Sequence, residues 1–160
     1  MNGDYFVVLS QNLNIYLKTF MGRLLGLDYG TKRVGVAETD DLQIIASPLT
    51  VIHITDIINF ILEYQKKHDL EAVIIGEPKN LDTSATHSTK KVQEFVTHLK
   101  RKIPNLKVEL VDERFTSKIA AKSMIMGGVK KKKRQEKGVL DKVSASIILQ
   151  SFLDSRSNGF

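Results

Sequence analysis

The run Ala72-Val73-Ile74-Ile75-Gly76 constrains the fold more than any other feature of this chain. A stretch with no polar side chain buries both faces of a strand, which is the pattern of a parallel strand covered by helices on each side. Helical periodicity flanks it. Upstream, Ile54, Ile57, Ile58, Ile61 and Leu62 recur at helical spacing, so Thr55–His68 is predicted to be an amphipathic helix with Thr55 as its N-cap. Downstream, Val92, Phe95, Val96 and Leu99 mark a helix over about Thr86–Lys102, stopped near Pro104.

The remaining elements follow from shorter signals. Arg23–Asp28 and Arg33–Thr39 are β-type runs joined by the turn-like Tyr29-Gly30-Thr31-Lys32. A third strand is expected near Ile44–Leu49, after an Asp40-Asp41 turn, with Pro48 ending it or placing it at an edge. Lys107–Val111 reads as a fifth strand. Thr116–Met126 reads as a helix ended by Gly127-Gly128, and a final helix runs from about Leu140 to Leu153. Three strands able to form a meander, followed by alternating helices and strands, predict an α/β fold. Its mixed five-stranded sheet combines the meander with two parallel strands and is flanked by helices. Ligands of such sheets gather at the carboxyl ends of the parallel strands.

At 160 residues the chain is expected to be one domain, over residues 21–154. Residues 1–20 carry only Asp4 and Lys18 as charges and are expected to be a poorly ordered extension, with Met21 as the start of the domain. Residues 155–160 are expected to fray. The absence of cysteine excludes disulfides, thiolate metal sites and cysteine nucleophiles. No apolar run approaches the ~20 residues of a membrane span. The histidines at 53, 68, 87 and 98 show no ligand spacing and are read as surface residues.

Charge is unevenly spread. Residues 100–142 hold 14 of the 24 basic residues but only 5 of the 18 acidic ones, so that stretch is strongly positive while the rest of the chain is slightly negative. A polyanion is the natural partner, and nucleic acid the commonest. The plain alternative is a solvated basic loop that only keeps the protein soluble.

Carboxylates stand where burial would oppose them. Asp28 ends an apolar strand, Asp112 and Glu113 close the fifth, and Asp141 opens the last helix on the face of Ala145, Ile148, Leu149 and Phe152. Singly, each has an ordinary explanation as a turn residue, a polar strand end or a carboxylate favoured by a helix dipole. Strand alternation allows only one of Asp112 and Glu113 to share the Asp28 face. Gathered at one sheet edge, such groups repel one another, and an all-oxygen set selects hard divalent ions, Mg²⁺ or Mn²⁺. Two such ions can activate water and stabilise the leaving oxygen in phosphodiester hydrolysis.

Three blocks, Leu25–Ala37 (LGLDYGTKRVGVA), Asp112–Ser117 (DERFTS) and Asp141–Gln150 (DKVSASIILQ), resemble the YqgF/RuvX family in order and spacing, and the match covers Met21 to about Leu153. Its members are RNase H-like nucleases, named for Holliday junction resolution or for maturation of the 5′ end of pre-16S ribosomal RNA. The resemblance implies an RNase H-like fold and a Mg²⁺- or Mn²⁺-dependent nuclease acting in the cytoplasm. Asp28, Glu113 and Asp141 would be its catalytic metal ligands, with Asp112 as a neighbouring candidate. Thr31, Lys32, Arg33 and Arg114 would steady phosphate. The run Lys130, Lys131, Lys132, Lys133 and Arg134 would drape over nucleic acid. Where the family carries Gly-Leu-Pro, this chain has Gly76-Glu77-Pro78, so Glu77 either adds a carboxylate to the site or is an exposed loop charge. The implied partners are structured RNA or branched DNA and no membrane, with a homodimer left open.

Two rivals remain at this stage. Asp28-Tyr29-Gly30-Thr31 also resembles the phosphate-binding hairpin of actin-like and heat-shock ATPases, but those need a second domain copy and a glycine-rich adenosine site. A non-catalytic RNA-binding factor for ribosome assembly fits the basic stretch but not the carboxylates, which repel phosphate unless a cation intervenes.

Overall fold

The computed structural model describes residues 22–78, 87–112 and 138–157. In chain order they form β1 (Arg23–Tyr29), β2 (Arg33–Thr39), β3 (Ala46–His53), α1 (Ile57–Lys67), β4 (Leu70–Glu77), α2 (His87–Lys102), β5 (Lys107–Asp112) and α3 (Val139–Ser157). The expected extension over residues 1–20, the helix expected over Thr116–Met126, Glu113, Arg114 and the Lys130–Arg134 run lie outside the described residues.

The sheet has the order β3-β2-β1-β4-β5. The β1–β2 and β2–β3 pairs are antiparallel and the β1–β4 and β4–β5 pairs parallel, so the sheet is the expected meander plus two parallel strands. Alternation along the central strands divides the core in two. Leu25, Leu27, Val73 and Ile75 face α1 and α2, where they meet Ile57, Ile61, Phe95 and Leu99. Leu24, Ala72 and Ile74 face the other way, against Ala145, Ile148, Leu149 and Phe152 of α3. Covering both faces explains why β4 reads as an unbroken apolar run.

Several boundaries differ from the sequence reading. β3 begins at Ala46 and continues to His53, rather than covering Ile44–Leu49. Ile44 and Ile45 are instead drawn into a loop, because the Asp40 side chain accepts hydrogen bonds from both their amides, at 2.8 and 2.9 Å. Pro48 lies within β3, which tolerates it as an edge strand. α1 starts at Ile57 with Asp56 as its N-cap, without a side-chain capping bond. Thr55 stays outside the helix and donates its hydroxyl to the Asp56 carboxylate at 3.0 Å. α3 runs on to Ser157, because Phe152 and Leu153 remain buried and Arg156 lies over the Phe152 ring. His68 is half-buried against Tyr64, with ring centroids 4.5 Å apart, and His98 is half-buried beside Arg101.

Glycines set how closely α3 approaches the sheet. A Cβ on Gly26 would stand 2.7 Å from Leu149 Cβ and 2.8 Å from the Ala145 carbonyl oxygen. Gly35, on the neighbouring strand, lies directly beneath the first turn of α3. The helix therefore rests on bare strand backbone, a close approach that glycine within a strand permits.

Candidate active site

Asp28 is the second-last residue of β1 and shares the alternation of Leu24 and Gly26, so it belongs to the α3 face. Its register partner on β2 is Gly35, the residue on which the α3 backbone at Asp141 rests. The sequence thus brings Asp28 and Asp141 together through three contacts: an antiparallel pair, a missing side chain, and the first turn of a helix. The tight turn between β1 and β2 completes the surround, closed by a 3.0 Å bond from the Gly30 amide to the Arg33 carbonyl. Asp28, Gly30, Thr31, Lys32, Arg33 and Asp141 line an open hollow of about 280 Å³.

The electrostatics of this hollow oppose charge on Asp28. Burial, and then the neighbouring Asp141 carboxylate, push Asp28 up to about 6. Ser144, one turn further along α3, partly offsets this by favouring the ionised form. Its hydroxyl is fully buried and makes no hydrogen bond of ordinary geometry among the described residues. Asp141 is held by Arg33, whose Nε donates to Oδ2 at 2.9 Å.

The predicted residues do not all meet here. Thr31, Lys32, Arg33, Asp28 and Asp141 share the hollow, as the sequence reading expects. Arg33, however, engages the carboxylate rather than standing free for phosphate. Glu77 is absent from the hollow. Alternation along β4 gives it to the Val73 and Ile75 face, where Gln93 Nε2 of α2 donates to its Oε1 at 3.3 Å. It is also buried, so neither an exposed loop charge nor a ligand beside Asp28 describes it. Asp112 pairs in register with Glu77 and shares the alternation of Val108, again on the side away from Asp28. Among the described residues, no third His, Cys, Asp or Glu joins Asp28 and Asp141.

Two contributors escaped the sequence reading. Gly35 sits inside a quoted motif, and its signal was an isolated glycine in an apolar strand. Ser144 reads as an ordinary helix residue, and nothing local marks it as buried beside a carboxylate. No helix among the described residues is long and apolar enough to cross a membrane.

Comparison with known proteins places this geometry in context. The sequence model of the family described as "RuvX: Holliday junction resolvase" matches residues 22–155. A protein of Christiangramia forsetii named "Putative pre-16S rRNA nuclease" is 50% identical over 133 residues, covering 83% of this chain and 98% of that one. A protein of the same name from Phocaeicola vulgatus is 48% identical over 136 residues, covering 85% and 98%. Among solved structures, T. thermophilus RuvC in complex with a Holliday junction substrate matches with a TM-score of 0.50 at 17% identity, over 85% of this chain and 96% of that one. That likeness concerns the fold, which is RNase H-like. With the family matched over nearly all of the domain and half the residues shared with a relative along almost its whole length, the chain belongs to the RuvX (YqgF) family.

Proposed function

We propose that the protein is a divalent-metal-dependent endonuclease that hydrolyses phosphodiester bonds of structured RNA, with the 5′ end of pre-16S ribosomal RNA as its substrate. The observation that carries this reading is the meeting of Asp28 and Asp141 in one open hollow with Asp28 raised to about 6. A buried carboxylate that resists ionisation beside a second carboxylate is relieved by a cation, and the names of the relatives supply the substrate class.

The residues present suit a hard metal. The two carboxylates that meet in the hollow offer an all-oxygen donor set, with the buried Ser144 hydroxyl favouring the ionised form of Asp28. Asp28 and Asp141 would hold Mg²⁺ or Mn²⁺, with Glu113 as the third acidic ligand implied by the family motif. When bound, the metal supplies an activated water and offsets charge on the leaving oxygen. The chain's own side chains do the rest. Thr31 and Lys32, on the turn beside Asp28, hold the scissile phosphate. Arg33 neutralises the Asp141 carboxylate in the metal-free state. Arg114 and Lys130–Arg134 hold flanking phosphates. Such work belongs to the cytoplasm, where precursor rRNA is found.

Cleavage of a labelled pre-16S rRNA 5′ segment, with and without Mg²⁺, tests the reading. Mg²⁺-dependent cut ends are expected, and binding without any cleavage would overturn it in favour of an assembly factor. A four-way DNA junction assayed in parallel tests the second reading, which the family's description favours. Faster cleavage of the junction than of the rRNA would transfer the assignment to it.

A further inference from the structure

Asp28 and Tyr29 are consecutive on β1 and turn to opposite faces of the sheet. Asp28 looks into the hollow under α3. Tyr29 stacks on Phe95 of α2, with ring centroids 4.3 Å apart and planes at 20°. A second hollow of about 450 Å³ opens beside this ring pair, between α1 and α2. That volume lies in the range of small-molecule sites, about 300–1,000 Å³. Ile54, Ile58 and Phe95 give it an apolar wall, while Lys91 and His98 stand among its polar lining.

The two hollows are neighbours. Thr31, on the β1–β2 turn, lines both. The second in turn shares Glu94 and His98 with a third depression, which continues along α2 past Lys90 and Arg101. A connected path therefore leads from the carboxylates, over the end of β1, onto a helix face carrying Lys90, Lys91 and Arg101. Among the described residues lining the second and third hollows, Glu94 is the one acidic group, and Lys90 lies 4.0 Å from it.

We propose that the second hollow is a nucleotide subsite. An unpaired base next to the scissile phosphate lodges beside the Tyr29–Phe95 pair, and the strand continues along α2 over its basic side chains. Flat aromatic and apolar walls bind a base whatever its identity, and lysines beside them track the backbone. A base inside a duplex cannot enter, so the subsite selects a single-stranded segment, as RNA-binding surfaces with aromatic platforms do. The position next to the scissile phosphate rests on the nuclease reading; the subsite itself does not.

The test is a metal-free binding cycle, read by fluorescence anisotropy on a short labelled oligoadenylate, either intact or with all its bases removed. Removing bases should weaken binding to the wild type about tenfold. Tyr29→Leu should weaken binding of the intact strand by a similar factor and leave the base-depleted strand unchanged, while Tyr29→Phe keeps most of the affinity. Should Tyr29→Leu fail to fold, Thr55→Met, which fills part of the hollow from an exposed position with a non-aromatic side chain and leaves both rings in place, should show the same selective loss. Equal losses on both strands, or none, would overturn the subsite. Cleavage of precursor rRNA by the wild type in Mg²⁺ separates the two claims. Cleavage without base dependence removes the subsite alone, and base-dependent binding without cleavage removes the nuclease reading alone.

Discussion

A Cβ atom on Gly35 would stand 2.1 Å from the carbonyl oxygen of Asp141. No side chain fits there, and the atom in the way is helix backbone, which cannot swing aside as a flexible side chain would. Gly35 is also the cross-strand partner of Asp28. One missing methyl group therefore fixes the spacing of the two carboxylates.

Gly35→Ala should force the first turn of α3 off the sheet. Overpacking of this kind costs about 1–3 kcal/mol or more. Urea unfolding should show the loss, and the protein that remains folded should cleave far more slowly, because Asp141 has moved. Wild-type stability and rate would refute the role given to Gly35.

Asp28→Asn should abolish cleavage and stabilise the metal-free protein at neutral pH. Asp28 titrates at about 6 when folded, against an ordinary value of 3.8. Between those values the folded state binds more protons than the unfolded one, so stability falls as pH rises from about 4 to 6. The loss is complete above pH 6 and amounts to at most about 3 kcal/mol, at 1.36 kcal/mol per unit. Urea midpoints measured against pH for both proteins should diverge through that window. Parallel curves would show that Asp28 is not strained by burial.

Arg33→Gln should change stability by less than about 1 kcal/mol, because the Arg33–Asp141 pair is 42% and 27% exposed at its two side chains. Its effect should appear in metal binding. With Asp141 released, Mg²⁺ should raise the melting temperature more than in the wild type, while nucleic-acid affinity falls. An unchanged Mg²⁺ response would mean that the arginine does not compete for the site.

How much of this was legible in the sequence depended on distance along the chain. β1, β2 and β4 were legible because burial on two faces leaves an apolar run that little else produces. Ile44 and Ile45 misled the reading of β3: β-branched residues signal a strand, but Asp40 captures their amides and leaves both exposed. Asp28 and Asp141 stood out as carboxylates in apolar settings. The face of Glu77 was latent in the alternation of β4, but its hydrogen bond to Gln93 depends on how α2 lies across the sheet. The Arg33–Asp141 pair spans 108 residues, and no local pattern encodes such a contact.

Asp112 and Glu113 should behave differently. Asp112 shares the Val108 side of β5, away from Asp28, so Asp112→Asn should retain cleavage while lowering stability by about 0.5–2 kcal/mol. Glu113→Gln should abolish turnover with little change in melting temperature. The reverse pattern would assign the ligand role to Asp112.

Neutralising Lys130 to Lys133 should weaken nucleic-acid binding and flatten its salt dependence. Each lysine–phosphate pairing removed lowers the slope of log affinity against log salt by about 0.7–0.9. An unaltered slope would mark the run as a solubility device.

The dependence of Asp141 on Gly35 also orders events during synthesis. The β1–β2 hairpin is among the first parts of the described fold to leave the ribosome and α3 is the last, and a domain folds as a unit, so its core cannot close before α3 is out. A nascent chain that already carries Asp28 has nothing over Gly26 and Gly35 but water, and its lone carboxylate ionises as an ordinary aspartate would. The acidic pair comes into being only when the final helix settles onto those two glycines. The chain is thus born without the site, and acquires it in the step that closes the second half of its core.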